Sequence, residues 1–211
     1  MFNWVKEDLR DFGKYLESSS DIKKLSLKDI DITFVGSGLA STYTLIEFIS
    51  QLGDQGKRNQ PPYSKTNPIQ LIMFEKDSWF WGGIPYGRRS GFTSLIITPL
   101  DEFLPSSELQ PFIDWMSKNI DWLIVPFREN AGSRSKIWLK DSEEKIKFGK
   151  SAGIHIPRYF FGIYLWDKLR QVVNSSDLDL ELSFIKREIS SIYKITDSKR
   201  SGRFTISTTE G

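Results

Sequence analysis

The stretch ITFVGSGLAS, residues 32–41, decides the fold class of this 211-residue chain. Residues 32–35 are a short apolar run rich in β-branched side chains, which predicts a buried strand. Residues 39–52 carry apolar side chains at helical spacing, and Gly53 follows at the position of a helix C-cap. The Gly-Ser-Gly segment between strand and helix therefore predicts a tight turn.

A second buried strand is predicted for IQLIMFE, residues 69–75, and it ends in Glu75. Strand, Gly-x-Gly turn, helix and acid-ended strand form the dinucleotide-binding βαβ pattern. In that pattern Gly36 lets the chain turn sharply, and Gly38, without a Cβ atom, lets the backbone approach a pyrophosphate. The helix N-terminus offers N–H groups and a positive dipole end to that anion, and Glu75 can accept hydrogen bonds from a ribose diol.

Two features depart from the standard motif. The third glycine position holds Ser41, although Ala40 and Ser41 are small enough to favour close packing of helix on strand. The interval from Gly38 to Glu75 is longer than the about 20 residues of the standard motif. Residues 53–68, rich in Gly, Pro and polar side chains, predict an exposed insertion that explains the excess.

Three further segments suggest a family. They are GGIPYG (82–87), PFIDWM (111–116) and IPRYFFGIYLWDKL (156–169). Together with the GSGLAS turn, they resemble the bacterial FAD-NAD(P)-binding family of glutathione-reductase-type two-dinucleotide-binding flavoproteins. That family includes an FAD-dependent urate hydroxylase and is more distantly similar to lysine and ornithine N-hydroxylases. The resemblance covers roughly residues 30–211.

The resemblance implies an α/β fold, a Rossmann-like parallel sheet of an FAD-binding domain with a C-terminal antiparallel β-hairpin. It implies an FAD-binding, NAD(P)H-dependent, monooxygenase-like oxidoreductase, with FAD as cofactor and NAD(P)H as its reductant. No catalytic residue and no metal site is assigned. The residues expected to bind the cofactor are Gly36, Ser37, Gly38, Leu39, Ala40, Ser41, Glu75, Lys76, Gly82, Gly83 and Arg158.

The sequence ends at Gly211, just after the hairpin predicted by SSIYKIT and RFTISTT. In flavoproteins of this type another parallel strand and the nicotinamide-binding half come later. We therefore expect only the N-terminal portion of such a protein, truncated at its C-terminus, with a second polypeptide as the source of the missing half. The alternatives are an inactive nucleotide-binding or interaction module, half of a split flavoprotein, a plain NAD(P)-binding reductase, and a methyltransferase-like fold.

Composition excludes several classes of function. With no Cys and one His, the chain lacks the residues for disulfides, thiolate metal sites or the usual zinc sites. A net charge of +2 argues against nucleic acid as a partner. No stretch approaches the roughly 20 apolar residues of a membrane span, and the acidic start differs from a signal peptide. We therefore expect a cytoplasmic protein that binds no membrane.

The remaining segments give coarser predictions. Residues 1–29 predict an amphipathic helix and a polar linker ahead of the domain at 30–211. Ser107 and Gln110 resemble a capping box that opens a helix, and Pro157 precedes another helix. Residues 124–152 are poorly patterned and suggest one short strand near residues 137–139. His155, the one histidine, is interpreted as structural rather than catalytic.

Overall fold

The computed structural model describes residues 30–56, 68–77, 80–195 and 203–209. The predicted helix and linker at 1–29, and most of the predicted insertion at 53–68, lie outside these residues. The chain divides into two compact units. The first contains the described residues up to Phe80 and from Leu169 onward, and the second contains residues 81–168.

A three-stranded parallel sheet is the frame of the first unit. Its strands, in the order β1-β2-β3, are β1 (Ile32–Val35), β2 (Ile69–Glu75) and β3 (Leu180–Lys186). Helix α1 (Leu39–Gly56) connects β1 to β2. Both pairs of neighbouring strands are parallel, and parallel strands require a crossover connection such as α1. The prediction of a parallel α/β sheet from residues 32–75 is therefore confirmed.

The central strand, β2, is the most deeply buried part of this sheet. Leu71, Ile72 and Met73 are almost inaccessible to solvent, and they lie opposite residues of both neighbouring strands. Strand β1 is an outer strand and is only half-buried, with Val35 49% exposed. Residues 32–35 therefore form the predicted strand, but the prediction that this strand is buried is wrong.

A separate antiparallel pair follows the sheet. It consists of β4 (Ile189–Lys194) and β5 (Phe204–Thr208), with Ile192 opposite Ile206. The alternating apolar and polar side chains of the two segments predicted this pair, and the prediction is confirmed.

The second unit is helical. Its elements are α2 (Gly83–Tyr86), a 3-10 turn (Arg88–Ser90), α3 (Leu100–Phe103), α4 (Ser106–Leu123), α5 (Val125–Glu129), α6 (Ser133–Lys147) and the first part of α7 (Arg158–Ser175). The short strand predicted near residues 137–139 is wrong, because these residues lie within α6. The helix predicted after Pro157 is confirmed as α7.

Aromatic side chains fill the core of this unit. The ring of Phe161 in α7 packs edge-on against Phe103 and Phe112, at centroid distances of 4.9 and 5.3 Å. The rings of Tyr164 and Phe112 have centroids 4.8 Å apart and are tilted relative to each other. Such contacts each stabilise a core by about 0.5–1.5 kcal/mol beyond the area that they bury. They fix α7 against α4, and thereby set the position of the residues at the start of α7.

Two helix ends differ from prediction. Gly53 is not a C-cap, since α1 continues through it to Gly56. Helix α4 begins at Ser106, one residue before the proposed cap, and no side-chain hydrogen bond caps its N-terminus. In the described part of the chain, no helix has the length and apolar character that crossing a membrane requires.

Candidate functional site

The turn after β1 depends on the backbone conformation of Gly36. Its φ is +86°, in the left-handed region that side chains with a Cβ atom rarely adopt. Its N–H donates to the carbonyl oxygen of Phe74, at 2.8 Å, and so continues the pairing of β1 with β2. The chain therefore leaves the sheet abruptly at the carboxyl end of β1, where ligands bind in open parallel sheets.

Open space lies in front of Gly38. A Cβ atom built on this residue would have no atom within 4 Å, so packing within the described residues does not require a glycine here. The carbonyl oxygen of Gly38 accepts bonds from the N–H and the hydroxyl of Thr42, both at 3.0 Å. Thr42 is fully buried and fixes the first turn of α1 to the Gly-Ser-Gly segment.

The N-terminus of α1 presents a set of backbone donors. No acceptor within the described ranges bonds the N–H groups of Gly38, Leu39, Ala40 and Ser41. The first N–H groups of a helix lack partners within the helix, and with the dipole they attract anions. Ala40 is exposed, so the prediction that its small size serves packing on the strand is wrong for this residue; Ser41 is half-buried.

A single carboxylate joins the Gly-Ser-Gly turn to the end of β2. Oε2 of Glu75 accepts hydrogen bonds from the N–H and the hydroxyl of Ser37, at 2.8 and 2.7 Å. Oε1 of Glu75 accepts a third bond, at 3.1 Å, from the N–H of Asp77. The structure thus brings together two predicted site residues that are 38 positions apart. Ser37 is fully buried, whereas Glu75 is half-buried.

Lys76, the next predicted site residue, directly follows Glu75 and is exposed. Ser37 was predicted as a site residue because it belongs to the turn, but the hydrogen bond from its hydroxyl to Glu75 was not predicted. The available signal was a hydroxyl residue between the two glycines. Thr42, which anchors the turn from α1, was not predicted, because at its position it reads as an ordinary helix residue.

The predicted site residues Gly82 and Gly83 belong to the second unit. With Trp81 they form three successive residues in the left-handed region, with φ of +70°, +70° and +57°. A Cβ atom on Gly82 would lie 2.9 Å from the carbonyl carbon of Tyr86. The tight turn therefore requires a glycine at 82 for its own backbone, and room for a cofactor there stays a prediction.

Arg158, also in the second unit, is bound to the backbone at the start of α7. Its Nε donates to the carbonyl oxygen of Leu95, at 3.0 Å, and its N–H donates to that of Ser94, at 2.9 Å. These bonds hold the segment at 94–95 against the helix start. A contact of this guanidinium with an anionic ligand stays a prediction.

His155 lies close to the same segment of the second unit. Its Nδ1 lies within hydrogen-bonding distance, 3.1 Å, of the carbonyl oxygen of Ile96. Its own carbonyl oxygen accepts from Nε1 of Trp138, at 2.7 Å. This geometry agrees with a structural interpretation of the histidine. In the same unit, the ring of Trp81 stacks on that of Trp166, at a centroid distance of 5.1 Å.

Comparison with known proteins gives relatives but no family. No family model matches the chain, and no solved structure matches it. Over 139 residues the chain is 30% identical to "Uncharacterized protein Mb3437c" of Mycobacterium bovis and to "Uncharacterized protein Rv3403c" of Mycobacterium tuberculosis. The match covers 66% of this chain but 25% of each relative. The chain thus spans about a quarter of the length of the curated relatives that it matches, and the flavoprotein resemblance stays a prediction.

Proposed function

We propose that this chain is the FAD-binding part of an NAD(P)H-dependent, monooxygenase-like oxidoreductase, with a Rossmann-like dinucleotide site at the Gly-Ser-Gly turn. The observation that carries the proposal is the bond between Ser37 and Glu75. It puts the glycine turn and the acidic strand end side by side at the carboxyl edge of the sheet. In dinucleotide-binding folds these two elements hold the pyrophosphate and the ribose.

The residues at the turn fit a pyrophosphate. The donors from Gly38 to Ser41 are backbone N–H groups at the start of an 18-residue helix, and such groups bind phosphate oxygens without any cationic side chain. The space in front of Gly38 admits a bulky anion close to the backbone. Glu75 lies at the end of the neighbouring strand, and its hydrogen bonds to Ser37 fix its distance from the turn. From this position Glu75 accepts a hydrogen bond from the ribose.

When FAD is bound, it supplies the redox chemistry, by accepting a hydride from NAD(P)H and passing electrons to oxygen or another acceptor. The chain itself binds and orients the cofactor. Since the matched region is 25% of each relative, we assign cofactor binding to this chain. The oxidoreductase activity is proposed for a larger protein, with the nicotinamide site supplied by further polypeptide.

A glycine substitution tests the phosphate site. In Gly38→Val the side chain occupies the open space at the turn, and we expect FAD affinity to fall by roughly tenfold or more. Gly132→Val is the matched control, because Gly132 is the N-cap of α6 and also has no atom within 4 Å of a Cβ position. Both variants place valine at a helix N-cap and should lose similar stability.

The readout is flavin absorbance after gel filtration, with affinity from calorimetric titration of FAD and of ADP. The proposal requires that wild type and Gly132→Val bind with similar affinity while Gly38→Val does not. Equal FAD affinity of all three proteins would show that the turn does not take part in cofactor binding. No binding by wild type would contradict the proposed function.

A further inference from the structure

The hydrogen bonds of Glu75 limit what this carboxylate can still accept. A carboxylate offers about four acceptor positions, two on each oxygen. On Oε2 of Glu75, the N–H and the hydroxyl of Ser37 fill both. On Oε1, the N–H of Asp77 fills one. These three are all the hydrogen bonds that Glu75 makes within the described residues. One acceptor position on Oε1 is therefore open.

Burial makes the occupied positions hard to release. Ser37 is fully buried, and both of its donors point to Oε2. A ligand hydroxyl that took over Oε2 would have to displace a donor of the fully buried Ser37, which costs free energy. The open position is on the oxygen whose one partner, the N–H of Asp77, is more distant at 3.1 Å.

We propose that Ser37 is a positioning residue that restricts Glu75 to one ribose hydroxyl, bound through Oε1, instead of the diol bound through both oxygens. The inference rests on the proposed function, since it concerns the ribose of the same nucleotide. It goes beyond the motif, because an acidic residue at a strand end can bind either one hydroxyl or two. The identity of the residue between the glycines decides which of these occurs.

The first test compares ADP with 2′-deoxy-ADP and 3′-deoxy-ADP on the wild-type protein by calorimetric titration. If Glu75 binds one ribose hydroxyl, removing that hydroxyl should weaken nucleotide affinity about tenfold. Removing the hydroxyl that Glu75 does not bind should change the affinity less than about twofold. Equal weakening by both removals would overturn the proposal, and so would no weakening by either.

The second test uses Ser37→Ala, which removes one donor from Oε2 and opens a position there. One ribose hydroxyl is expected to add nothing to the affinity of the wild-type protein. In Ser37→Ala we expect this hydroxyl to bind Glu75, so that its removal weakens nucleotide binding by roughly threefold or more. Ser50→Ala is the matched control, because Ser50 donates to the carbonyl oxygen of Ile46 within the same helix. It should keep the wild-type pattern for the three nucleotides.

A purely structural role for Ser37 gives a different result. In that case Ser37→Ala weakens all three nucleotides by the same factor, the ratios between them stay as in wild type, and the proposal is overturned. Failure of the proposed function is distinguishable, because the wild-type protein then binds neither FAD nor any of the three nucleotides. That outcome would overturn this inference together with the function on which it rests.

Discussion

The hydroxyl of Tyr159, in the first turn of α7, donates a hydrogen bond to the carbonyl oxygen of Leu123, the last residue of α4, at 2.5 Å. Both residues are buried. The carbonyl groups at a helix C-terminus have no partner within the helix, so this tyrosine satisfies an acceptor that would otherwise be buried without one. It therefore ties the end of one core helix to the start of another.

We expect Tyr159→Phe to lower the free energy of unfolding by about 1–2 kcal/mol, because a buried carbonyl loses its donor while the ring packing stays. The measurement is urea denaturation followed by tryptophan fluorescence. Tyr193→Phe is the control, since Tyr193 is 63% exposed, and it should change stability by less than about 0.5 kcal/mol. Equal effects of the two substitutions would contradict the role of the Leu123 contact.

Alkaline pH should destabilise the second unit through its buried tyrosines. Burial, with a smaller effect of the Glu108 carboxylate, raises the pKa of Tyr164 from 10.0 to about 12. The unfolded chain then releases this proton at lower pH than the folded protein does. The stability that Tyr164 contributes is present below about pH 10 and is lost as the pH rises towards 12.

The check is a series of urea denaturations across this range, on wild type and on Tyr164→Phe. Burial also raises the pKa of Tyr159, so the variant should keep part of the dependence. We expect a shallower decline of stability in Tyr164→Phe than in wild type. Parallel declines would show that Tyr164 does not titrate differently in the two states.

Gly53→Ala should stabilise the protein by about 0.5–1 kcal/mol. Gly53 lies inside α1, where glycine costs more backbone entropy than alanine, and a Cβ atom there meets nothing within 4 Å. Gly36→Ala is the opposite case, because its φ of +86° strains any other residue, and it should cost about 1–2 kcal/mol. A shift of the same sign for both substitutions, in thermal or urea unfolding, would be inconsistent with these two backbone conformations.

Gly82→Ala should destabilise the protein more than Gly153→Ala. Both glycines have left-handed φ, +70° and +65°, so both substitutions carry a conformational cost of about 1–2 kcal/mol. Only at Gly82 would the new Cβ atom also meet backbone, 2.9 Å from the carbonyl carbon of Tyr86. Overpacking of this kind adds about 1–3 kcal/mol. The difference between the two variants in urea unfolding measures the close approach alone, and no difference would mean that the turn opens freely.

The strand–turn–helix–strand unit was predictable from the sequence, whereas the helix at 133–147 was not. Residues 32–35 and 69–75 are dense apolar runs, and Gly36 marks the break between strand and helix. Helix α6 buries Ser142 and Ile146, so one of its buried positions is polar, while its apolar Ile137 is 64% exposed. The positions of the apolar residues therefore do not indicate which face of α6 is buried. The spacing of Ile137 and Leu139 is instead typical of a strand.

The candidate site was predictable in part for a similar reason. Glycines in a turn and an acidic residue at a strand end are visible as residue types at characteristic places. That Ser37 bonds Glu75 is a contact across 38 positions, and it exists because β1 and β2 lie next to each other in register. The periodicity of apolar residues in a sequence carries no information on such a pairing. The number of acceptor positions that remain open on Glu75 could therefore be found only from the three-dimensional structure.

The bonds from Ser37 to Glu75 are contacts within the chain itself, so we expect them to order the turn as the protein folds. The loss of conformational freedom at residues 36–38 belongs to folding and does not oppose the later arrival of a bound molecule. A substitution that loosens this preorganised segment should consequently leave the sheet intact and appear as weaker affinity.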